Sequence, residues 1–342
     1  MPVYPKTKAS KMRAISYSAF GPASDVLSLT DIPTPKPAQG EVLVRLHRSG
    51  VNPSDVKSRA GGRPGVPKPA FPFIVPHSDG AGVIEAVGDD VDAARIGQRV
   101  WIWNGQWQRS HGTAADYIAL PAEQAVQLDD NISFDAGATL GIPALTAAHA
   151  VFGGGDVAGK TLLISGGAGS VGYMAVQLAK AAGARVIATA SPGTSTDHAR
   201  AAGADHVLDY RAPDLADQIL AATGGALIDR AVETEFGVNI ALLAQVMAPN
   251  STIAAYGSAL DLAPTLPFGP LLFKAITIDI VLVYILTAPE RAAAIERVTQ
   301  ALRAGTLTPR IHATYPLADC AAAHRAVEAA NRHGAILLDT LS

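Results

Sequence analysis

The segment Ser165–Gly172 (SGGAGSVG) has the residue types and spacing that bind a diphosphate. It matches the pattern G-x-G-x-x-G, and it lies between a strand-like run and a helix-like run, which is the context the pattern requires. Early glycines allow a tight turn against a pyrophosphate, the last allows close helix–strand packing, and the helix N-terminus supplies unpaired N–H groups. The sequence predicts a dinucleotide site built from Gly166, Gly167, Ala168, Gly169, Ser170, Val171 and Gly172.

The strand that follows this turn indicates which nicotinamide dinucleotide binds. Sites for NAD usually place Asp or Glu at the end of that strand, where the acid binds the ribose 2′-hydroxyl. Here the strand Arg185–Thr189 is followed by no acid before Asp197. Because an acid would repel a 2′-phosphate, its absence favours NADPH. The candidate phosphate ligands are Ser191, Arg200 and Tyr210, although Arg200 fits a solvated helix surface equally well.

Two patterns of predicted elements divide the chain. From Arg13 to about Leu128, short β-like runs separated by Pro and Gly predict a mainly β domain. From about Ser133 to Leu286, strands alternate with Ala-rich helices, which predicts a parallel sheet covered on both faces. One of these predicted strands is Ala226–Ile228, and a short strand at Ala335–Leu338 is predicted to return to the first domain.

Composition bounds the class of protein. With 342 residues the chain is long enough for two domains, and 49% hydrophobic residues exclude a disordered chain. A net charge of −3 makes nucleic-acid binding unlikely as a function. The single cysteine, Cys320, excludes an internal disulfide and fits a reducing compartment. The segment Met1–Lys11 does not resemble a signal peptide. For these two reasons we expect a cytoplasmic protein. The apolar run Ala275–Leu286 is too short to span a membrane and predicts a buried strand.

The chain resembles the zeta-crystallin-like NADPH:quinone oxidoreductases, the zinc-free branch of the medium-chain dehydrogenase/reductase superfamily. The resemblance rests on Gly50–Asp55 (GVNPSD), Pro76–Val91 (PHSDGAGVIEAVGDDV), Gly141–Thr146 (GIPALT), Ser165–Gly172, Gly203–Tyr210 (GADHVLDY) and Tyr256–Ser258. It implies an α/β fold in which a Rossmann domain, residues 133–286, is inserted into a mainly β GroES-like catalytic domain, residues 1–132 and 287–342.

The resemblance also implies site residues. Asn52 and Thr146 are expected to line the nicotinamide and substrate cleft, and Tyr210 to lie near the adenosine phosphate. The remaining cofactor-lining positions are Asn239, Gly257, Ser258, Val281 and Val283. Two alternatives come from the residues themselves: Thr146 could bond its own helix backbone, and Asn239 could be a helix cap. Relatives also pair subunits along the 275–286 segment, so a homodimer or homotetramer is expected.

Zinc-dependent relatives carry Cys where Asn52 stands and a His-Glu pair where Ser78-Asp79 stands. The chain lacks these thiolates, and the spacing of His77, Asp79 and His111 does not recommend them as a substitute set. The sequence therefore predicts no metal site.

Hydride transfer from NADPH to a quinone or a related electron-poor unsaturated carbonyl is the expected reaction. Without zinc, the developing oxyanion needs hydrogen-bond donors, for which Asn52, Thr146 and Lys57 are the candidates. Lys57 stands where relatives often have Tyr. Together with Arg63 and Lys68 it predicts a preference for anionic acceptors. The alternative is that Lys57 is a surface residue with no role in substrate choice. The alternative functions are an alkenal or enone double-bond reductase, or an NADPH-binding protein, crystallin-like or RNA-binding, with little turnover.

Overall fold

The structure is a computed structural model that describes residues 11–62, 65–329 and 332–342. Its strands are β1 (Lys11–Ser16), β2 (Ser28–Pro33), β3 (Glu41–Val51), β4 (Asp79–Val87), β5 (Arg99–Ile102), β6 (Tyr117–Pro121), β7 (Ala125–Gln127), β8 (Thr161–Ile164), β9 (Arg185–Ala190), β10 (His206–Asp209), β11 (Ile228–Glu233), β12 (Met247–Ala255), β13 (Thr277–Ile280), β14 (Ile311–Pro316) and β15 (Ala335–Asp339). Its α-helices are α1 (Ala23–Val26), α2 (Pro53–Arg59), α3 (Phe134–Gly137), α4 (Leu145–Phe152), α5 (Ser170–Ala181), α6 (Thr194–Ala201), α7 (Leu215–Thr223), α8 (Phe236–Val246), α9 (Phe268–Phe273), α10 (Ala288–Arg303) and α11 (Cys320–Glu328). Across these described ranges, none of the helices has the length and apolarity needed to cross a membrane.

The first compact unit comprises residues 1–142 and 311–342. Its main sheet has the order β14-β15-β3-β4-β5-β7, and β6 pairs with β3. Alternate β3 residues Val42, Val44 and Leu46 are fully buried and form one core with apolar side chains of the neighbouring strands. The last strand, β15, pairs antiparallel with β3, which confirms the predicted return of the chain to this unit.

Ion pairs hold the end of the chain on this sheet. The Arg48 guanidinium on β3 lies 2.9 Å from Asp339 of β15 and 2.6 Å from Asp135 of α3. Arg13 on β1 pairs with Asp116 at 2.9 Å, and it also donates to the backbone carbonyl of Thr340 at 2.8 Å. Two of these contacts, Arg48 to Asp339 and Arg13 to Thr340, join segments 291 and 327 residues apart in the sequence.

The second compact unit comprises residues 143–310 and contains six parallel strands in the order β10-β9-β8-β11-β12-β13. Counted along the unit, this is the order 3-2-1-4-5-6 of a doubly wound dinucleotide-binding sheet. Its direction of growth reverses between β8 and β11, so the carboxyl ends of these two strands border the crevice where such folds bind ligands.

The chain passes from the first unit to the second after residue 142 and returns after residue 310. Both boundaries lie later in the chain than the expected ones at 132/133 and 286/287. Helix α3 packs on β4 and β5, and the Phe134 ring lies 4.2 Å from the ring of His47, so this segment belongs to the first unit. Helix α10 packs on α4, and the Arg297 guanidinium lies 4.7 Å from the Phe152 ring, so it belongs to the second. An Ala-rich helix carries no local signal of which sheet it will cover, which explains the difference.

The strand predicted at Ala226–Ile228 is wrong in its extent, because β11 begins at Ile228 and continues to Glu233. The sequence does not show the full strand because β11 contains charged residues, which are unusual in a buried strand. Arg230 is one of them: it is only 4% exposed, and its Nε donates to the Ala150 carbonyl at 2.6 Å.

The apolar run Ala275–Leu286 contains only a short edge strand, β13. Val281 and Val283 are buried, whereas Ile280, Leu282 and Ile285 are exposed by 69%, 44% and 63%. The prediction of a buried strand is therefore wrong, because no residue of β13 is buried and the buried Val281 and Val283 follow the strand.

Candidate functional site

The turn between β8 and α5 has the backbone that its glycines predict. Gly166 has a φ of +66°, and a Cβ at Gly172 would lie 2.2 Å from the Gly166 carbonyl oxygen, so no other residue fits there. Helix α5 begins at Ser170, and its first turn leaves the N–H groups of Ser170, Val171 and Gly172 without intrahelical partners. Because this turn follows β8 at the reversal point of the sheet, it can hold a diphosphate.

Glu233, the last residue of β11, lies beside this turn and is fully buried. Its carboxylate accepts hydrogen bonds from Ser165 Oγ at 2.5 Å, Asn239 Nδ2 at 3.0 Å and the Glu235 backbone N–H at 2.5 Å. Burial raises the pKa of Glu233, and these donors act in the opposite direction. The carboxylate thus joins the start of the diphosphate turn to α8. Sequence analysis missed it because the strand that ends in Glu233 was placed too early.

Asn239 lies one turn into α8, whose N-cap is Glu235, so the helix-cap alternative for Asn239 is wrong. The loop after β12 comes to the same edge of the sheet. Ser258 Oγ accepts from the Gly237 N–H at 2.8 Å and donates to the Asp261 carbonyl. These contacts bring Asn239, Gly257 and Ser258 together at the carboxyl ends of β11 and β12.

Ser191 and Tyr210 follow the ends of two neighbouring strands. Ala190 of β9 pairs in register with Asp209 of β10, so the next residue of each strand lies at the same edge. Tyr210 is 53% exposed, and the Arg211 guanidinium lies 5.5 Å from the centre of its ring. The Arg211 guanidinium is paired with the Asp209 carboxylate at the end of β10, at 3.1 Å.

Arg200 does not join this group. It lies in the last turn of α6, about 9 Å along the helix axis from the end that adjoins Ser191, and its guanidinium lies 3.6 Å from the Asp197 carboxylate. The interpretation as a solvated helix residue is the one the structure supports.

In the first unit, Asn52 caps α2 and is held by two buried carboxyl groups. Its backbone N–H donates to Asp55 Oδ2 at 2.8 Å, and its Nδ2 donates to Asp79 Oδ2 at 2.9 Å. Burial raises the pKa of Asp55 to about 7, against the effect of the hydrogen bonds from Asn52. Burial also raises the pKa of Asp79 well above its ordinary value, and the charge of Asp55 adds to that rise. The amide of Asn52 is therefore fixed between the two carboxyl groups.

Two other residues, Lys57 and Thr146, are expected to be catalytic. Lys57 is exposed on α2, on the side away from the buried Asp55. Thr146 is buried in the first turn of α4, in the second unit. Of the basic loop, Lys68 is exposed, and Arg63 lies outside the described residues.

Comparisons with known proteins agree with this architecture. Residues 38–130 match the alcohol dehydrogenase GroES-like domain family, and residues 170–300 match the zinc-binding dehydrogenase family. The human quinone oxidoreductase is 32% identical over 318 residues, which cover 92% of this chain and 93% of that protein. The chain belongs to the quinone oxidoreductase family. The expected α/β fold, with a Rossmann domain and a GroES-like domain in the zinc-free branch of the medium-chain dehydrogenases/reductases, is confirmed.

Solved structures place the chain among quinone oxidoreductases as well. A mycobacterial protein in complex with NADPH has a TM-score of 0.83 and 27% identity, covering 96% of this chain and 99% of that one. A Pseudomonas syringae quinone oxidoreductase has a TM-score of 0.82 and 28% identity, with the same coverage.

Replacing Asp55 by Asn should change how stability depends on pH. Because the pKa of Asp55 is about 7 in the folded chain, against 3.8 ordinarily, the folded state binds an extra proton between about pH 4 and 7, and native stability falls as pH rises through that window. At about 1.4 kcal/mol per unit of pKa difference, Asp55→Asn should remove up to about 4 kcal/mol of this fall. Urea unfolding at several pH values measures it, with the exposed Asp25→Asn as control. Equal pH slopes for Asp55→Asn and the native chain would contradict the expected burial effect.

Truncation of Glu233 should weaken dinucleotide binding more than it weakens the fold. Glu233→Ala leaves Ser165 and Asn239 without their common acceptor, so the Kd for NADPH should rise about tenfold or more, the equivalent of about 1.4 kcal/mol. Glu233→Gln retains one acceptor oxygen, so its Kd for NADPH should lie between those of the native chain and Glu233→Ala. Fluorescence titration measures Kd, with Glu296→Ala on the exposed face of α10 as control. An unchanged Kd in a folded Glu233→Ala chain would show that the carboxylate does not position the turn.

Proposed function

We propose that this protein reduces quinones by hydride transfer from NADPH, without zinc. The observation that carries the proposal is the similarity to quinone oxidoreductase over 92% of the chain, combined with an intact diphosphate turn at the reversal point of the sheet. The free, buried thiol of Cys320 supports a reducing compartment, so we place the reaction in the cytoplasm.

Residues of the second unit would bind the dinucleotide. The turn Gly166–Gly172 takes the diphosphate through the N–H groups of α5, and Ser191 and Tyr210 take the 2′-phosphate. The nicotinamide side is assigned to Asn239, Gly257, Ser258, Val281 and Val283. No acid follows β9 before Asp197, and the Asp209 carboxylate at the end of the neighbouring strand is balanced by Arg211, so a 2′-phosphate is favoured here.

NADPH, when bound, supplies the hydride from C4 of its nicotinamide ring. The chain must then stabilise the oxyanion that develops on the quinone, and we assign this to the side-chain amide of Asn52. The Thr146 hydroxyl, in the second unit, is assigned to the nicotinamide. The hydrogen bond from Asn52 Nδ2 to Asp79 fixes the amide before substrate arrives, so little reorganisation is needed.

The direct test is turnover. NADPH oxidation with a naphthoquinone should proceed at a higher kcat/KM than with a small enone, and incubation with a chelator should leave the rate unchanged. Asn52→Ala should lower kcat about 100-fold, since the loss of one oxyanion donor typically has that effect. Activity that disappears on chelation and returns with zinc, or a faster enone reaction, would overturn the proposal.

Cofactor preference tests the 2′-phosphate assignment separately. NADPH should bind more tightly than NADH, and Ser191→Asp should weaken NADPH alone, because it adds a negative charge beside the phosphate. Titration of both dinucleotides against the native chain, Ser191→Asp and the uncharged Ser191→Asn separates charge from shape. Tighter binding of NADH to the native chain would refute the assignment.

The exposed apolar side chains after α9 support a homodimer or homotetramer. Ile280, Leu282 and Ile285 flank the edge strand β13, which offers an unpaired row of backbone groups to a second copy. Ile280→Lys should give a folded monomer by light scattering, whereas Leu29→Lys, an exposed position on β2, should leave the oligomer intact. Val283→Lys should disturb the fold itself because Val283 is buried. A native chain that is monomeric at micromolar concentration would rule out this assembly.

A further inference from the structure

Two histidines and the only cysteine meet in the interior of the first unit. The Nε2 atoms of His77 and His324 lie 2.9 Å apart, and Cys320 Sγ lies 3.9 Å from His77 Nε2. All three side chains are 0% exposed. Among the described residues, no other set of three or more His, Cys, Asp or Glu side chains converges closely enough to hold a metal ion. The sequence analysis did not connect them, because 243 residues separate His77 from Cys320.

Helix geometry explains how two of the donors come together. Cys320 and His324 are four residues apart on α11, so their side chains leave the same face of the helix. Two side chains at positions i and i+4 of a helix can bind the same metal ion, because they lie on one face of the helix. The third donor comes from the segment that precedes β4.

The third donor, His77, has a φ of +79°, a backbone conformation that costs a residue other than glycine about 1 kcal/mol or more. Glycine would adopt this turn without strain. The strained backbone instead delivers an imidazole ring to the two donors of α11, which is the kind of local cost found at functional positions.

Hydrogen bonds fix which nitrogen of His77 faces the cluster. Thr113 Oγ1 donates to the Asp79 carbonyl at 2.5 Å, so it must accept from Ser49 Oγ, 2.8 Å away. Ser49 Oγ has then used its proton and accepts from His77 Nδ1 at 2.9 Å. Nδ1 therefore carries the ring proton, and the lone pair of Nε2 points at His324 and Cys320. A ligand histidine whose other ring nitrogen donates a hydrogen bond is the usual arrangement in metal sites.

We propose that His77, Cys320 and His324 bind one Cu(I) ion. Thiolate and imidazole are ligands that copper and zinc prefer, and no carboxylate belongs to the set. Zn²⁺ in a closed structural site takes four protein ligands, whereas three donors suffice for Cu(I). Binding releases the thiol proton of Cys320 to solvent and moves the Nε2 proton of His324, which donates to His77 Nε2 in the empty cluster, to Nδ1 of the same ring. The oxidation state does not change, and the loaded cluster gains no net charge.

Charge in the surroundings agrees with a monovalent ion. The cluster lies in an apolar core formed by residues such as Val75, Leu317 and Val327, where an uncompensated charge would be costly. The nearest cation, Arg59, is 2% exposed and is paired with the Glu328 carboxylate, so its charge is already balanced. The buried Asp55 carboxyl also faces Cys320, and a divalent ion on one thiolate would require this carboxyl to be ionised for charge balance, whereas Cu(I) would not.

The native chain alone can test the site, without NADPH or quinone, so the result is independent of the proposed function. Anaerobic titration with Cu(I) against a colorimetric chelator should show one equivalent bound and a thiolate-to-copper ultraviolet band, which only Cys320 can produce. Cys320→Ser and His324→Gln should each weaken binding about 100-fold or more, while His312→Gln, at an exposed position of β14, should leave it unchanged.

X-ray absorption of the loaded native chain should find one sulfur and two nitrogen donors, and this measurement holds even if the variants do not fold. Absence of a tight equivalent, equal affinity in Cys320→Ser, or a copper environment without sulfur would overturn the proposal. Stoichiometric binding of Zn²⁺ but not Cu(I), tested in a parallel titration, would overturn it as well.

Discussion

The dinucleotide-binding unit depends on one buried carboxylate, that of Glu233. It lies where the order of the parallel sheet reverses, and it accepts hydrogen bonds from a hydroxyl after β8, an amide on α8 and a backbone N–H between β11 and α8. Taking a carboxylate out of water is expensive unless donors replace the water, and three donors do so here. The glycines make the diphosphate turn possible, but Glu233 fixes where that turn stands relative to the neighbouring strand end.

Buried carboxyl groups also hold an amide side chain at Asn52. Two buried acids, Asp55 and Asp79, hold the backbone and the side chain of this residue. In both units, then, a carboxyl group removed from solvent orients an amide, and that amide is the group assigned to cofactor or substrate. Such an arrangement is rigid because rotating the amide would leave a buried acceptor without its donor.

Local patterns could be predicted from the sequence, and contacts between distant segments could not. The turn Ser165–Gly172, most strands and the return of β15 follow from glycine spacing, β-branched runs and the family resemblance. The extent of β11 could not be read, because Arg230 and Glu233 are buried by partners on other elements. The place of Arg200 depends on the direction of α6, which the sequence does not show, and nothing near His77 in the sequence points to α11.

The antiparallel pairing of β15 with β3 has a consequence for the order in which the chain can fold. The second unit is one continuous segment, residues 143–310, so all six of its strands have been synthesised before β14 begins. The sheet of the first unit lacks two strands and α11 until residue 339 has emerged from the ribosome, and only then can Arg48 reach Asp339. Domains usually complete their folding in the order of synthesis. In this chain the inner domain can finish folding first. The part of β3 that pairs with β15 must stay without this partner until β15 has been synthesised.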